Sequence, residues 1–340
     1  MQIININDAK DMIKHIAVGM GEPLMFWGQP GVGKSEAVAQ VARDDNDSIL
    51  VDIRLSQYDA VDLRGIPVPH DSGLTVWHAP STLPFVGNDA FPDDVRIYLF
   101  LDEINSAPSS VTAVAYQLIN DRGVGEHRLK DNVVVIAAGN RESDRGVTNR
   151  MPTPLANRFT HAEIGVDVDA WCEYAQNAGL PPVGIAFMQF RKPLLSTFDP
   201  SKPDKAFATP RTWVKALRYH ASGMPQAVKH AAMTGAVGEG PASEFLGFVE
   251  VWQSITPVED ILKDPIGVAL PEELSTRYAT AVNVSGSLTA DTADQLHRFL
   301  KRLDPEYVVL AWQLAIKRDD ALFTTDAFMD FSKTYHAVFR

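Results

Sequence analysis

Cysteine is almost absent from this 340-residue sequence, with Cys172 its only example. An intrachain disulfide is therefore excluded, as is any cysteine-rich metal cluster, and a reducing compartment fits best. No apolar segment approaches the roughly 20 residues needed to span a bilayer. The N-terminal MQIININDAK lacks the basic start and continuous apolar stretch of a signal peptide. The expected location is cytoplasmic, without a membrane span. Positive charge is scarce too: 31 Lys and Arg stand against 43 Asp and Glu, for a formal net charge of −12. Both halves share the acidity, with 14 basic against 22 acidic residues in 1–165 and 17 against 21 in 166–340. Neither half projects the positive field that concentrates a polyanion. Nucleic acid as a partner would need a local basic loop or an assembled pore. Internal repeats and low-complexity tracts are also missing.

What is present is an ordinary globular composition, 45% hydrophobic and 22% charged, over a length that suits two or three domains. Residues 7–19, NDAKDMIKHIAVG, space apolar positions as a helix behind an Asn or Asp cap. The run LMFW (24–27) follows, then SILVDIRL (48–55), RIYLFLDE (96–103), NVVVIAAGN (132–140) and HAEIGV (161–166). Consecutive apolar positions of this kind suit strands buried on both faces of a parallel sheet. Helical segments lie between them, so residues 1–166 are expected to form an α/β core around a parallel five-stranded sheet. Two stretches break the alternation. DLRGIPVPHDSGLTVWHAPSTLP (62–84) reads as two short extended arms joined by the HDSG turn, and RGVGEHRLKDN (122–132) as a second small hairpin. Beyond Val166 helical spacing dominates, at 169–178, 211–221, 244–255, 289–302, 305–317 and 325–338. Asp304-Pro305 offers a capping carboxylate and a first-turn proline. GEGPAS (238–243) reads as a boundary between a segment at 167–240 and a C-terminal helical region at 241–340.

GQPGVGKS, residues 28–35, matches G-x-x-x-x-G-K-[ST] in full, after a strand and before a helix. In such a loop Gly28, Gly31 and Gly33 let backbone N–H groups turn onto phosphate oxygens, and the helix N-terminus adds partial positive charge. Lys34 reaches the β- and γ-phosphates, and the Ser35 hydroxyl is a candidate Mg²⁺ ligand. Gln29, Pro30, Val32 and Glu36 complete the candidate ATP-binding segment. The buried strand of YLFLDEIN ends in adjacent carboxylates at the edge where open α/β sheets bind ligands. Asp102 can join the Mg²⁺ shell, directly or through water, while Glu103 can polarise an attacking water.

GQPGVGKS, LFLDEIN, AAGN and LANRF, in this order and spacing, resemble the Walker A, Walker B, sensor-1 and arginine-finger elements of an AAA+ ATPase. The inserts SQYDAVDLRGIPVP…VWHAPSTLP and the hairpin-like segment before AAGN resemble, more narrowly, the MoxR-like branch. The resemblance covers roughly residues 1–220. It implies an AAA+ P-loop NTPase core at 1–166, an α-helical lid at 167–240 and a C-terminal helical extension at 241–340. It implies that Asn140 touches the γ-phosphate and the lytic water. It also makes Arg158 of LANRF the arginine that reaches a neighbouring subunit's nucleotide, a role Arg145 or Arg150 could share or take. ATPRTWVKALRY resembles the sensor-2 helix, with Arg211 aimed at the γ-phosphate of its own subunit.

A homo-oligomeric ring, of six subunits, is what the resemblance implies, with ATP and Mg²⁺ between neighbours and hydrolysis driving chaperone-like remodelling or maturation of a protein client. A partner bearing a von Willebrand factor A domain belongs to the same expectation, as does presentation of Trp77 toward a central pore. The alternative is a nucleic-acid motor or the energy module of a restriction or phage system. For it the chain offers only the modest basic cluster of RGVGEHRLK and RESDRGVTNR, including Arg122, Arg128 and Lys130. His70 and His78 flank a turn and are candidate metal ligands, although exposed histidines without a metal are the commoner case.

Overall fold

The computed structural model describes residues 1–144, 151 and 153–335. The chain divides into two compact units, Met1–Trp171 with Ser196–Thr212, and Cys172–Leu195 with Trp213–Arg340.

Strands of the first unit are β1 (Ile3–Ile4), β2 (Leu24–Trp27), β3 (Ser48–Arg54), β4 (Ile66–Pro69), β5 (Thr75–His78), β6 (Arg96–Asp102), β7 (Gly123–Val124), β8 (His127–Arg128), β9 (Val133–Gly139) and β10 (Thr160–Ile164). Among them run helices α1 (Ile6–Met12), α2 (Lys34–Asp44), α3 (Ala60–Arg64), α4 (Ser109–Asn120) and α5 (Thr153–Ala156), with α6 (Val168–Asn177) beyond β10. Six strands form one sheet in the order β1-β10-β2-β9-β6-β3, and every pairing in it is parallel. The five expected strands are all there. The sixth, β1, is two residues long and pairs Ile3 with Glu163 and Ile4 with Ile164, too short to leave a periodic signal.

Both faces of the sheet are covered, which explains the consecutive apolar runs. Successive side chains alternate between faces. Phe26, Tyr98, Phe100 and Ile136 pack with Ala9, Val38 and Val41 of α1 and α2. Met25, Leu99, Leu101 and Val135 pack with Val111, Val114 and Leu118 of α4. Asn5 caps α1, its side-chain oxygen accepting from the N–H groups of Asn7 at 2.8 Å and Asp8 at 2.9 Å. The helix predicted over 7–19 is α1 followed by a π-helical turn, Ile13–Val18.

Strands β4 and β5 pair antiparallel across the predicted HDSG turn, and β7 and β8 form the second hairpin. The backbone N–H of Trp77 donates to Glu126 Oε1 at 3.2 Å, tying the two hairpins together. The Arg64 guanidinium lies 5.8 Å from the Trp77 ring centroid.

Helices continue with α7 (Pro182–Phe190), α8 (Pro210–Ala221), α9 (Gln226–Val237), α10 (Glu239–Ser254), α11 (Val258–Lys263), α12 (Leu274–Ser287), α13 (Ala293–Leu300), α14 (Pro305–Ile316) and α15 (Asp326–Tyr335). Residues 210–212 of α8 belong to the first unit. Phe187, Trp213 and Phe245 centre one aromatic cluster of the second unit. Trp312, Phe331 and Phe299 lie in another core with α13 to α15. Within GEGPAS, α9 gives way to α10 at Gly238, whose φ is 90°, and α10 begins directly at Glu239. Pro241 falls in the first turn, where its missing N–H had no intrahelical acceptor to lose. Asp304 precedes α14 but makes no side-chain cap bond; its carboxylate accepts from Arg277 Nη1 at 2.7 Å instead.

Candidate functional site

The glycine loop joins β2 to α2, and its shape is enforced by close backbone approach. Gly31 has φ 77°, and a Cβ there would lie 2.7 Å from Thr209 Oγ1, so a side chain is excluded by both conformation and space. Gly33 precedes α2 with φ 109° and no side-chain cap. The first N–H groups of α2 are thus left for an anion, in the field of the helix N-terminus. The loop is pinned from residues 196–212. Gln29 Nε2 donates to Ser196 Oγ at 2.6 Å, and the Arg211 N–H donates to Gly31 O at 3.3 Å.

Lys34, Ser35, Asp102, Glu103, Asn140 and Arg211 line one polar pocket with Pro30, Gly31 and Gly33. The Lys34 ammonium donates to Gly28 O at 2.7 Å, Gln29 O at 3.2 Å and Asn140 Oδ1 at 3.1 Å. Burial pulls its pKa from 10.5 to about 8, against the opposing pull of Asp102 and Asp144. An arriving phosphate would favour the charged form and would replace three partners of which two are mere carbonyls. This arrangement fits a triphosphate.

Ser35 Oγ donates to Asp102 Oδ2 at 2.9 Å, and Asp102 Oδ1 accepts from the Glu103 N–H at 2.8 Å. A hydroxyl and a carboxylate, side by side and oxygen-only, are the donor set a hard Mg²⁺ ion prefers, the phosphates supplying the rest. Asp52 stands opposite Phe100 in the β3/β6 register. Its carboxyl is held above the usual range, first by burial and then by the nearby Asp102 charge.

Glu103 follows β6 with φ 57°, a left-handed conformation costing on the order of 1 kcal/mol for a residue with a side chain. Its Oε2 accepts a short hydrogen bond from Ser56 Oγ. Asn140 follows β9 and is fixed through its backbone: its N–H donates to Asn105 Oδ1 at 3.2 Å, and its carbonyl accepts from Asn105 Nδ2 at 2.7 Å. A Cβ at Gly139 would lie 2.6 Å from that same Asn105 oxygen. Next door, Arg141 grips Asp144 at 2.8 Å and Glu163 at 3.2 Å, tying the loop after β9 to β10.

Of the remaining predicted residues, Val32 is buried in the core with α1 and α2. Glu36 lies in the first turn of α2 with its side chain accepting from Gln40 and pairing with Arg43. Gly28 and Gln29 meet Lys34 through their carbonyls. Arg158 is exposed and is not among the residues lining the pocket. Arg145 and Arg150 lie outside the described residues. Asn105, Ser56 and the Arg141–Asp144–Glu163 group were missed by sequence reasoning. Only Asn105 left a trace, two places beyond Glu103 in DEIN.

The basic cluster considered for nucleic acid is largely engaged with its own chain. Arg122 Nη2 donates to the carbonyls of Lys130 and Val133 at 3.0 and 2.9 Å. Arg128 Nη1 donates to Asp121 O at 2.6 Å, and the buried Lys130 holds Phe91 O at 2.5 Å and Asp93 at 2.9 Å. His70 Nδ1 accepts from the Ser72 N–H at 3.2 Å inside its turn. Among the described residues no group of three or more His, Cys, Asp or Glu could hold a metal ion, and no helix is long and apolar enough to cross a membrane.

Residues 23–159 match the family model of the AAA domain, dynein-related subfamily. Among solved structures the chain is similar to a candidate ATPase from Cytophaga hutchinsonii, at 15% identity over 90% of this chain and 80% of that one, with a TM-score of 0.36. It is also similar to NtrX from Brucella abortus, at 13% identity over 93% of this chain and 68% of that one, with a TM-score of 0.41.

Proposed function

We propose, from the premise that residues 23–159 form an AAA domain and that the chain is an ATPase, that it hydrolyses ATP in a homo-oligomeric, MoxR-like ring. In this reading residues 1–166 are the nucleotide-binding core, 167–240 a lid and 241–340 a C-terminal extension. Lys34 and the α2 N-terminus hold the phosphates. Ser35 and Asp102 hold Mg²⁺, which would offset charge on the phosphate oxygens. Glu103 exchanges its Ser56 partner for a water and polarises it, with Asn140 orienting that water. Arg211 supplies positive charge from the same subunit.

The observation that carries the assembly reading is the separation of two arginines: Arg211 lines the pocket, while Arg158 stands exposed outside it. A guanidinium free of its own site is suited to a neighbour's, where it would stabilise charge on the transferring phosphoryl group. Mixing Arg158→Ala with Glu103→Gln subunits tests this. Each alone is expected to keep only a small residual turnover, on the order of a thousandth or less for the lost finger, and mixtures are expected to regain turnover, because one supplies the finger and the other an intact site. Turnover by Arg158→Ala alone at the unmodified rate would refute it.

For the work done, the inserts favour a protein client. Val61, Ile66 and Leu74, at and between α3 and β5, are exposed by 53%, 63% and 69%. The second hairpin's Arg122, Arg128 and Lys130 hold carbonyls of their own chain. Apolar, weakly cationic inserts suit a polypeptide better than a phosphate backbone. Chaperone-like remodelling in the cytoplasm, with a partner carrying a von Willebrand factor A domain, is the function we assign. Stimulation of turnover by a co-purifying protein supports it, whereas strong stimulation by DNA would favour the nucleic-acid motor.

A further inference from the structure

His161 is the second residue of β10, opposite Met25 of β2 in the parallel register. Its two ring nitrogens have different partners. Trp27 Nε1 donates to Nδ1 at 2.9 Å, with the rings stacked at 14° and centroids 6.1 Å apart. Nε2 lies 2.6 Å from Ala156 O. An indole N–H can only donate and a carbonyl can only accept, so the tautomer is fixed: Nδ1 is bare and Nε2 carries the proton.

The two partners lie at two functional places. Trp27 ends β2 and directly precedes Gly28, whose carbonyl accepts from Lys34 at 2.7 Å. Ala156 ends α5 and stands two residues before Arg158, whose own N–H is bound to Leu155 O at 2.8 Å. Phe159, buried, sets its ring edge-on to His161 at 6.0 Å. The turn bearing Arg158 is thereby fastened to the strand end that launches the phosphate loop, by one side chain with a polar bond at each end.

We infer that His161 is a positioning residue for Arg158: it sets where the exposed guanidinium stands relative to its own subunit's phosphate loop, and so where it reaches on a neighbour. This rests on the reading of Arg158 as a finger acting in trans. Removal of the ring's hydrogen bonds should lower turnover without loosening nucleotide, because the His161 side chain does not line the pocket.

The test is a double-mutant cycle on the full chain, read as kcat together with the dissociation constant for a fluorescent ATP analogue. His161→Phe keeps an aromatic ring but neither hydrogen bond. It is expected to lower kcat by about 10²-fold, the scale of a misplacement near 1 Å, and to leave nucleotide affinity within about twofold, since uniform binding is untouched. In an Arg158→Ala background the same change should cost nothing further, because its effect passes through Arg158. Trp27→Phe, which removes the donor to Nδ1 and keeps the stack, should show a smaller loss with the same dependence on Arg158, and carries the cycle if His161→Phe does not fold. Losses that multiply in the double variant, an unchanged kcat in the single one, or failure of both variants to fold would overturn the inference. Full turnover by Arg158→Ala would instead overturn the finger reading beneath it.

Discussion

The lowered pKa of Lys34 makes nucleotide binding a proton-uptake event. Burial holds the free lysine at about 8. At that value about half of the free protein has a neutral Lys34 at pH 8 and roughly nine-tenths at pH 9. Phosphate oxygens in contact with the amine favour its charged form and raise its pKa in the complex. The protein must therefore take up a proton to bind. By linkage, affinity for an ATP analogue should fall about twofold at pH 8 and about tenfold at pH 9 relative to pH 7. Calorimetry on Glu103→Gln protein, in two buffers of different ionisation enthalpy, reads the uptake directly. We expect about 0.1 proton per site at pH 7 and about 0.9 at pH 9. Lys34→Arg, charged throughout this range, should bind more weakly but with a flat profile. Flat affinity and no uptake at pH 9 in the unmodified chain would refute the reasoning.

Three other expectations concern the supports of the site and of the second unit. Gly31→Ala should abolish tight nucleotide binding; adding Thr209→Ala removes the 2.7 Å clash but not the φ of 77°, so affinity should return only in part, as equilibrium titration would show. Asn105→Ala strips both backbone partners from Asn140 and should cost about 2 kcal/mol of stability in denaturant titrations, with kcat reduced more than KM. His297, buried, takes a hydrogen bond from Trp312 Nε1 on Nδ1 at 3.1 Å and faces Asp330 through Nε2 at 3.1 Å. Burial lowers its pKa below 6.5 despite Asp330, so its unfolded form binds the proton first and stability should fall as pH drops through 6.5 toward the folded value. Substituting His297→Gln should flatten that acid limb in denaturant titrations from pH 7 to 5.

Much of this site is legible because phosphate chemistry demands fixed residue types at fixed spacing. Gly28 to Ser35 and Asp102-Glu103 stand out before any fold is known, and five of the six strands of the parallel sheet announce themselves by consecutive apolar runs. The supports are not legible in the same way. Ser56 meets Glu103 across 47 residues and Trp27 meets His161 across 134, so neither pairing leaves a local pattern. Charge misleads for a related reason: Lys130 looks like an exposed base in EHRLK, yet it is buried, a state set by Phe91 and Asp93 nearly 40 residues earlier. The π-helical turn after α1 and the continuous start of α10 at Glu239 likewise depend on packing and on a single glycine junction rather than on hydrophobic spacing.

The central claim, that one copy's Arg158 completes another copy's site, is tested most directly by the specific ATPase activity of unmodified protein across a dilution series, with oligomeric state followed by light scattering on the same samples. The account predicts that activity per chain falls steeply as the assembly dissociates and returns on reconcentration. A dissociated monomer that turns over ATP at the undiminished rate would contradict it.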